Sequence, residues 1–157
     1  MFNWDAFLVR LQSYPVHYHR ILPACSESRI KEVEKELGTL PANLKEMVRR
    51  FNGAKLFLSG IPLIRLFRIS TNPPLPSLDW APEWCIDTFT KKWRAAGSDR
   101  EDDWALAMMN YGGLVLLDGD DTVKEWDTSE GRWLIEKLPL DRWIDKIFED
   151  GEAVMAI

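Results

Sequence analysis

Few residues in this chain are placed to do chemistry. His17 and His19 flank Tyr18, and with Cys25 they offer three potential metal ligands. In an extended segment residues two apart point to the same side, so both imidazoles could face one ion. Zinc wants four ligands, or three and a water, and only Cys85 or a distant carboxylate could complete the set. The segment reads more simply as a polar connector, and no metal or cofactor is assigned. Asp118, Asp120 and Asp121 surround Gly119, but a calcium loop needs alternating oxygen ligands and a terminal Glu. Strands begin on either side instead, so these residues serve a turn. Asp118, Glu125 and Asp127 could meet across neighbouring strands, yet no His, Lys or nucleophile gives them a task. No Ser or Cys shares a recognisable nucleophile motif with a His, and no glycine-rich phosphate loop is present. None of these groupings gives a reason to expect catalysis.

The acids matter more as a field than as catalysts. The chain has 20 basic and 25 acidic residues, a net charge of −5. Up to Leu78 there are 11 basic and 6 acidic residues, beyond it 9 and 19, so the halves carry +5 and −10. An acidic half disfavours direct nucleic-acid binding, which draws its affinity from Lys and Arg displacing counterions. It suits a basic protein partner, which such a field attracts and orients. A solvated surface that serves solubility is the plainer alternative. Charge and position pick out Asp99, Glu101, Asp102, Asp103, Asp120, Asp121, Glu125 and Asp127 as the candidate partner-binding set. No apolar run approaches the roughly 20 residues that span a bilayer. Met1 to Tyr14 lacks a basic start followed by an apolar block, and two cysteines are too few to staple a secreted scaffold. A cytoplasmic domain with reduced thiols is expected.

The elements that position these residues follow from periodicity. A short helix from about Asp5 to Tyr14 turns Phe7, Leu8 and Leu11 inward, and Pro15 interrupts it. Val16 to Cys25 reads as a connector, with Ser26 or Ser28 capping the next helix. There Ile30, Val33 and Leu37 form one face, and Gly38 supplies a left-handed stop. Leu40-Pro41 restarts the chain with Pro at the first helical position. Leu44, Met47, Val48 and Phe51 make the second stripe, which Asn52-Gly53 ends with two residue types that tolerate positive φ. Leu56-Phe57-Leu58 and Ile61 to Ile69 read as strands, Pro62 pushing the start of the latter towards an edge or bend. Thr71 to Pro76 carries three prolines and reads as an extended loop. From Pro82 a helix presents Cys85, Phe89 and Trp93, Gly97 follows it, and Asp99 to Asp103 is a loop.

Four short strands come next: Trp104 to Asn110, Leu114 to Asp118, Thr122 to Asp127 and Arg132 to Leu138. Gly112-Gly113, Gly119-Asp120 and Ser129-Glu130-Gly131 join them, so they must form an antiparallel meander. Pro139 opens a closing helix with Leu140, Trp143, Ile144, Ile147 and Phe148 inward and Gly151 at its end. The expected fold is α+β, one domain over 1–157. Its central, mostly antiparallel sheet joins the C-terminal four-strand meander to N-terminal strands, with helices at both chain ends. Among eight tryptophans, Trp93 and Trp143 belong to helical core faces. Trp126 and Trp133 sit on strands, where a helix laid over the sheet would cover them. Left uncovered beside acids, either would be an interface anchor.

The order Leu-Gly, Leu-Pro, amphipathic helix, Asn-Gly, apolar strand resembles the SUKH superfamily, the Smi/Knr group. The residues that carry the resemblance are Ile30, Glu34, Leu37, Gly38, Leu40, Pro41, Leu44, Phe51, Asn52 and Gly53. The C-terminal strand, Gly-containing turn, apolar strand, Val123 to Asp127 and closing helix are similar too, so the likeness covers about residues 26–150. That group contains bacterial immunity proteins against polymorphic toxins and fungal regulators of cell-wall synthesis. The resemblance implies a non-catalytic domain that binds and occludes a cognate, basic toxin domain. Were that toxin a nuclease, the acidic half would mimic phosphate in its groove. A regulatory or scaffold role in a housekeeping pathway is the alternative it implies.

Overall fold

Asn3 opens the first helix by accepting the Ala6 N–H at 2.9 Å. In the computed structural model, which describes residues 1–71 and 84–156, this helix (α1) runs Trp4–Gln12 with Trp4, Phe7 and Leu11 buried. Ser26 Oγ accepts the Arg29 N–H at 3.3 Å and caps α2, Glu27–Leu37, which Gly38 closes at φ 101°. α3 is Ala42–Arg50. Pro41 stands at its N-cap, one position before the expected one, a shift of the size helix ends routinely show.

Asn52 corrects the sequence reading. Gly53 has φ 93°, but Asn52 is not left-handed. Its buried side chain instead clamps Ile69, accepting that residue's N–H at 2.7 Å and donating to its carbonyl at 3.0 Å. Gly53 is needed twice over. It takes a left-handed φ, and a Cβ there would lie 2.8 Å from the Leu66 carbonyl oxygen.

The strands are β1 His19–Ile21, β2 Ala54–Ser59, β3 Ile61–Leu66, β4 Trp104–Met109, β5 Gly113–Leu117, β6 Thr122–Asp127 and β7 Arg132–Pro139. They form one sheet in sequence order, each antiparallel to the next. The C-terminal meander and the closing helix are therefore as expected. The segment Val16 to Cys25 is more than a connector, because β1 pairs with β2 inside it. Three residues are too few to show alternation. What fixes them is the outer edge of β2, whose backbone groups need partners. The chain beyond β1 is held as well: Leu22 N–H reaches the Gly53 carbonyl at 3.0 Å, and Asn52 N–H reaches that of Pro23 at 2.9 Å.

Two further α-helices, α4 (Ile86–Ala95) and α5 (Leu140–Val154), and two short 3-10 turns, Val16–Tyr18 and Ser98–Arg100, complete the described elements. α4 packs on β4, and α5 on β2, β6 and β7. They cover opposite faces, as alternation along β6 shows. Trp126 meets Trp93 of α4. Glu125, one residue away, feels Lys146 and Asp150 of α5. Gly151 does not end α5, which continues to Val154. Its missing Cβ matters for packing instead, since one there would overlap the Phe57 ring. Residues 72–83, with the three prolines of the expected loop, the Pro82 helix start and Trp80, lie outside the described residues.

Candidate partner-binding surface

Strand register decides where the acids meet. Trp104 pairs with Leu117, Leu117 with Val123, and Val123 with Leu138. The turn before β4, the β5–β6 turn and the β7–α5 junction therefore lie at one end of the sheet. Asp99, Glu101 and Asp102 are exposed on the first of these, and Asp120 on the second. This convergence was not legible in the sequence, where Asp99 and Asp120 are far apart.

Asp103 belongs to the same end but faces inward. It is 4% exposed. One carboxylate oxygen accepts from Lys124 Nζ at 2.7 Å and the other from Trp93 Nε1 at 2.9 Å. Arg94 Nε reaches its backbone carbonyl at 3.0 Å. The buried carboxylate thus ties the loop to α4 and β6 and fixes the three exposed acids beside it. Asp121 is half-buried at φ 60°, and its Oδ1 accepts the Asn43 N–H at 3.3 Å at the start of α3. It supplies the side-chain cap that α3 lacks from its own N-cap proline. Burial, together with the Asp118 and Asp120 carboxylates and against the Asn43 N–H, raises its pKa. Asp118 Oδ1 accepts the N–H groups of Asp120 and Thr122 at 2.9 and 3.0 Å, the turn role expected of it.

Glu125 and Asp127 lie away from this end. Glu125 is 2% exposed and accepts the Tyr111 hydroxyl at 2.6 Å, and burial raises the pKa of both groups. Asp127 pairs with Arg132 at the opposite end of β6. Its Oδ1 accepts the Ser129 hydroxyl and the N–H groups of Ser129 and Glu130, and those bonds, that of the Ser129 hydroxyl first, lower its pKa. Of the eight candidates, Asp99, Glu101, Asp102 and Asp120 are the outward-facing ones at a common end.

The strand tryptophans are half-buried and form a triangle with Trp93, with ring centroids 4.9 to 5.8 Å apart. Arg100 lies 3.7 Å over Trp93, and Lys124 5.3 Å over Trp133. Helix α4 and these cations cover much of their surface, a stacking that periodicity does not reveal.

His17 is exposed, whereas Cys25 is buried. His19 Nδ1 accepts the Phe57 N–H at 3.1 Å, and burial lowers its pKa to about 4. Among the described residues no three His, Cys, Asp or Glu side chains are grouped to hold a metal, and no helix is long and apolar enough to cross a membrane.

Comparison with curated proteins finds no match. The SMI1 / KNR4 family model (SUKH-1) matches residues 24–145, which takes in α2, α3, the Asn52-Gly53 corner, strands β2 to β7 and the first residues of α5. By that match over most of its length, the chain belongs to the SMI1 / KNR4 (SUKH-1) family.

Proposed function

We propose that this domain is an immunity protein, which binds a cognate toxin domain through the acidic end of its sheet and occludes that domain's working surface. The observation that carries the reading is the convergence of Asp99, Glu101, Asp102 and Asp120, all exposed, where β4 begins and β5 turns into β6. Family membership supports a protein partner. The field of such a cluster draws and orients a basic surface. Short turns hold these carboxylates, and Asp103 and Asp121 anchor the turns, so little ordering cost falls on binding. A toxin that cuts nucleic acid must hold phosphates in a basic groove, and carboxylates fixed in space can stand in for them. The protein acts without catalysis, in the cytoplasm, and the sign of its charge opposes direct nucleic-acid binding.

Affinity capture from the source cell's lysate, with stepwise salt elution and mass spectrometry, tests this. A basic toxin fragment released only at high salt supports immunity. Recovery of housekeeping proteins instead makes the domain a regulator or scaffold of their pathway.

A further inference from the structure

The 99–103 loop of the acidic end rests on the tryptophan triangle. Trp93, Trp126 and Trp133 meet edge to face, at interplanar angles of 68° to 75°. Trp93 holds the loop twice. Its Nε1 donates to Asp103, and its ring carries Arg100, whose guanidinium carbon also lies 5.5 Å from the Trp126 centroid. The backbone closes between these two grips, where the Asp103 N–H reaches the Arg100 carbonyl at 3.2 Å. Trp133 takes part through Lys124, which lies over its ring and bonds Asp103. Arg100 is the single cation in the run from Asp99 to Asp103. Extended into water beside its neighbours, it would offset part of their field. Instead it is half-buried against indole faces, which attract a cation through their quadrupole, while Asp99, Glu101 and Asp102 stay exposed.

We propose that Arg100 is a positioning residue of the docking end. Seated on Trp93 and Trp126, it fixes the loop so that Asp99, Glu101 and Asp102 project together towards a basic partner. The strand tryptophans thus serve recognition from beneath, without touching the partner. The role in binding rests on the immunity reading, whereas the order of the loop does not. Charge and position make opposite predictions at this residue. Arg100→Gln removes a positive charge from an acidic surface, so charge alone tightens the binding of any polycation. Loss of the seat frees the loop, and a partner that reads its shape then binds more weakly, because the carboxylates must be ordered on docking.

The test compares the full chain as wild type, Arg100→Gln and Arg100→Lys in two measurements. Backbone 15N relaxation at Asp99, Glu101 and Asp102 needs no partner. Order parameters of about 0.85 are expected in wild type and below about 0.6 in Arg100→Gln, with Arg100→Lys between them. Calorimetric titration then uses two probes, a hexalysine peptide and the basic protein that the native domain retains from lysate. Arg100→Gln should bind hexalysine at least as tightly as wild type does, and the retained protein roughly fivefold more weakly. Unchanged order in Arg100→Gln, Arg100→Lys as disordered as Arg100→Gln, or undiminished affinity for the retained protein overturns the proposal. If no basic protein is retained, the immunity reading falls, and the relaxation result alone decides whether Arg100 holds the loop.

Discussion

The Asn52-Gly53 corner and the acidic end of the sheet are both built from turn-forming residues, yet they spend their polar groups in opposite directions. At the corner everything turns inward: Asn52 consumes both backbone groups of Ile69, and Gly53 lets its chain press against Leu66. At the acidic end an inner pair, Asp103 and Asp121, holds the turns, while Asp99, Glu101, Asp102 and Asp120 face water. The residues by which the family is recognised thus bear the fold. The acids proposed to meet a partner lie elsewhere, on turns at the end of β4, β5 and β6. Residues of the first kind should change stability and leave recognition alone, and residues of the second kind the reverse.

The largest effect is expected at the corner. Asn52→Ala leaves the N–H and C=O of Ile69 unpaired in the core and should cost about 3–4 kcal/mol in a urea titration. The fraction that remains folded should bind any captured partner with unchanged affinity, and a specific loss of binding would break the comparison. Asp103→Ala comes next. It strands Lys124 and the Trp93 indole, and a loss of about 3 kcal/mol would place this acid with the corner despite its position.

His19 gives a pH-dependent version on the fold-bearing side. The unfolded imidazole takes up a proton near pH 6.5, but the buried one resists until about pH 4. Stability should therefore be full above pH 6.5 and fall as the pH drops from 6.5 towards 4. The decrease should be about 2 kcal/mol once the ring's partial exposure is allowed for. His19→Gln should flatten that slope in parallel denaturation curves. The smallest change in stability belongs to the exposed acids. Reversing Asp99, Glu101, Asp102 and Asp120 to Lys should move stability by no more than about 0.5 kcal/mol per site, as read by thermal melts.

Much of this was legible in the sequence because it is local. Ser26, Gly38 and the Gly-containing turns of the meander announce element ends through backbone chemistry, and the α5 stripe from Leu140 to Phe148 announces a buried face. What stayed hidden depends on distant partners. β1 exists because β2 has an open edge, Gly151 is required by Phe57 across the fold, and Asn52 serves Ile69. The same holds for the candidate surface. Charge and position in the sequence selected eight acids, but only register and burial separate the four that face outward from Asp103, which pairs with Lys124, and Glu125, which pairs with Tyr111.

The most direct test of the account is a side-by-side capture from the source cell's lysate. The native domain is compared with the variant carrying Asp99→Lys, Glu101→Lys, Asp102→Lys and Asp120→Lys, after circular dichroism has shown equal folding. The account predicts that the native domain retains a basic protein that elutes with salt, and that the variant retains it at least tenfold less. Equal retention of the same protein by both would contradict an acidic docking end.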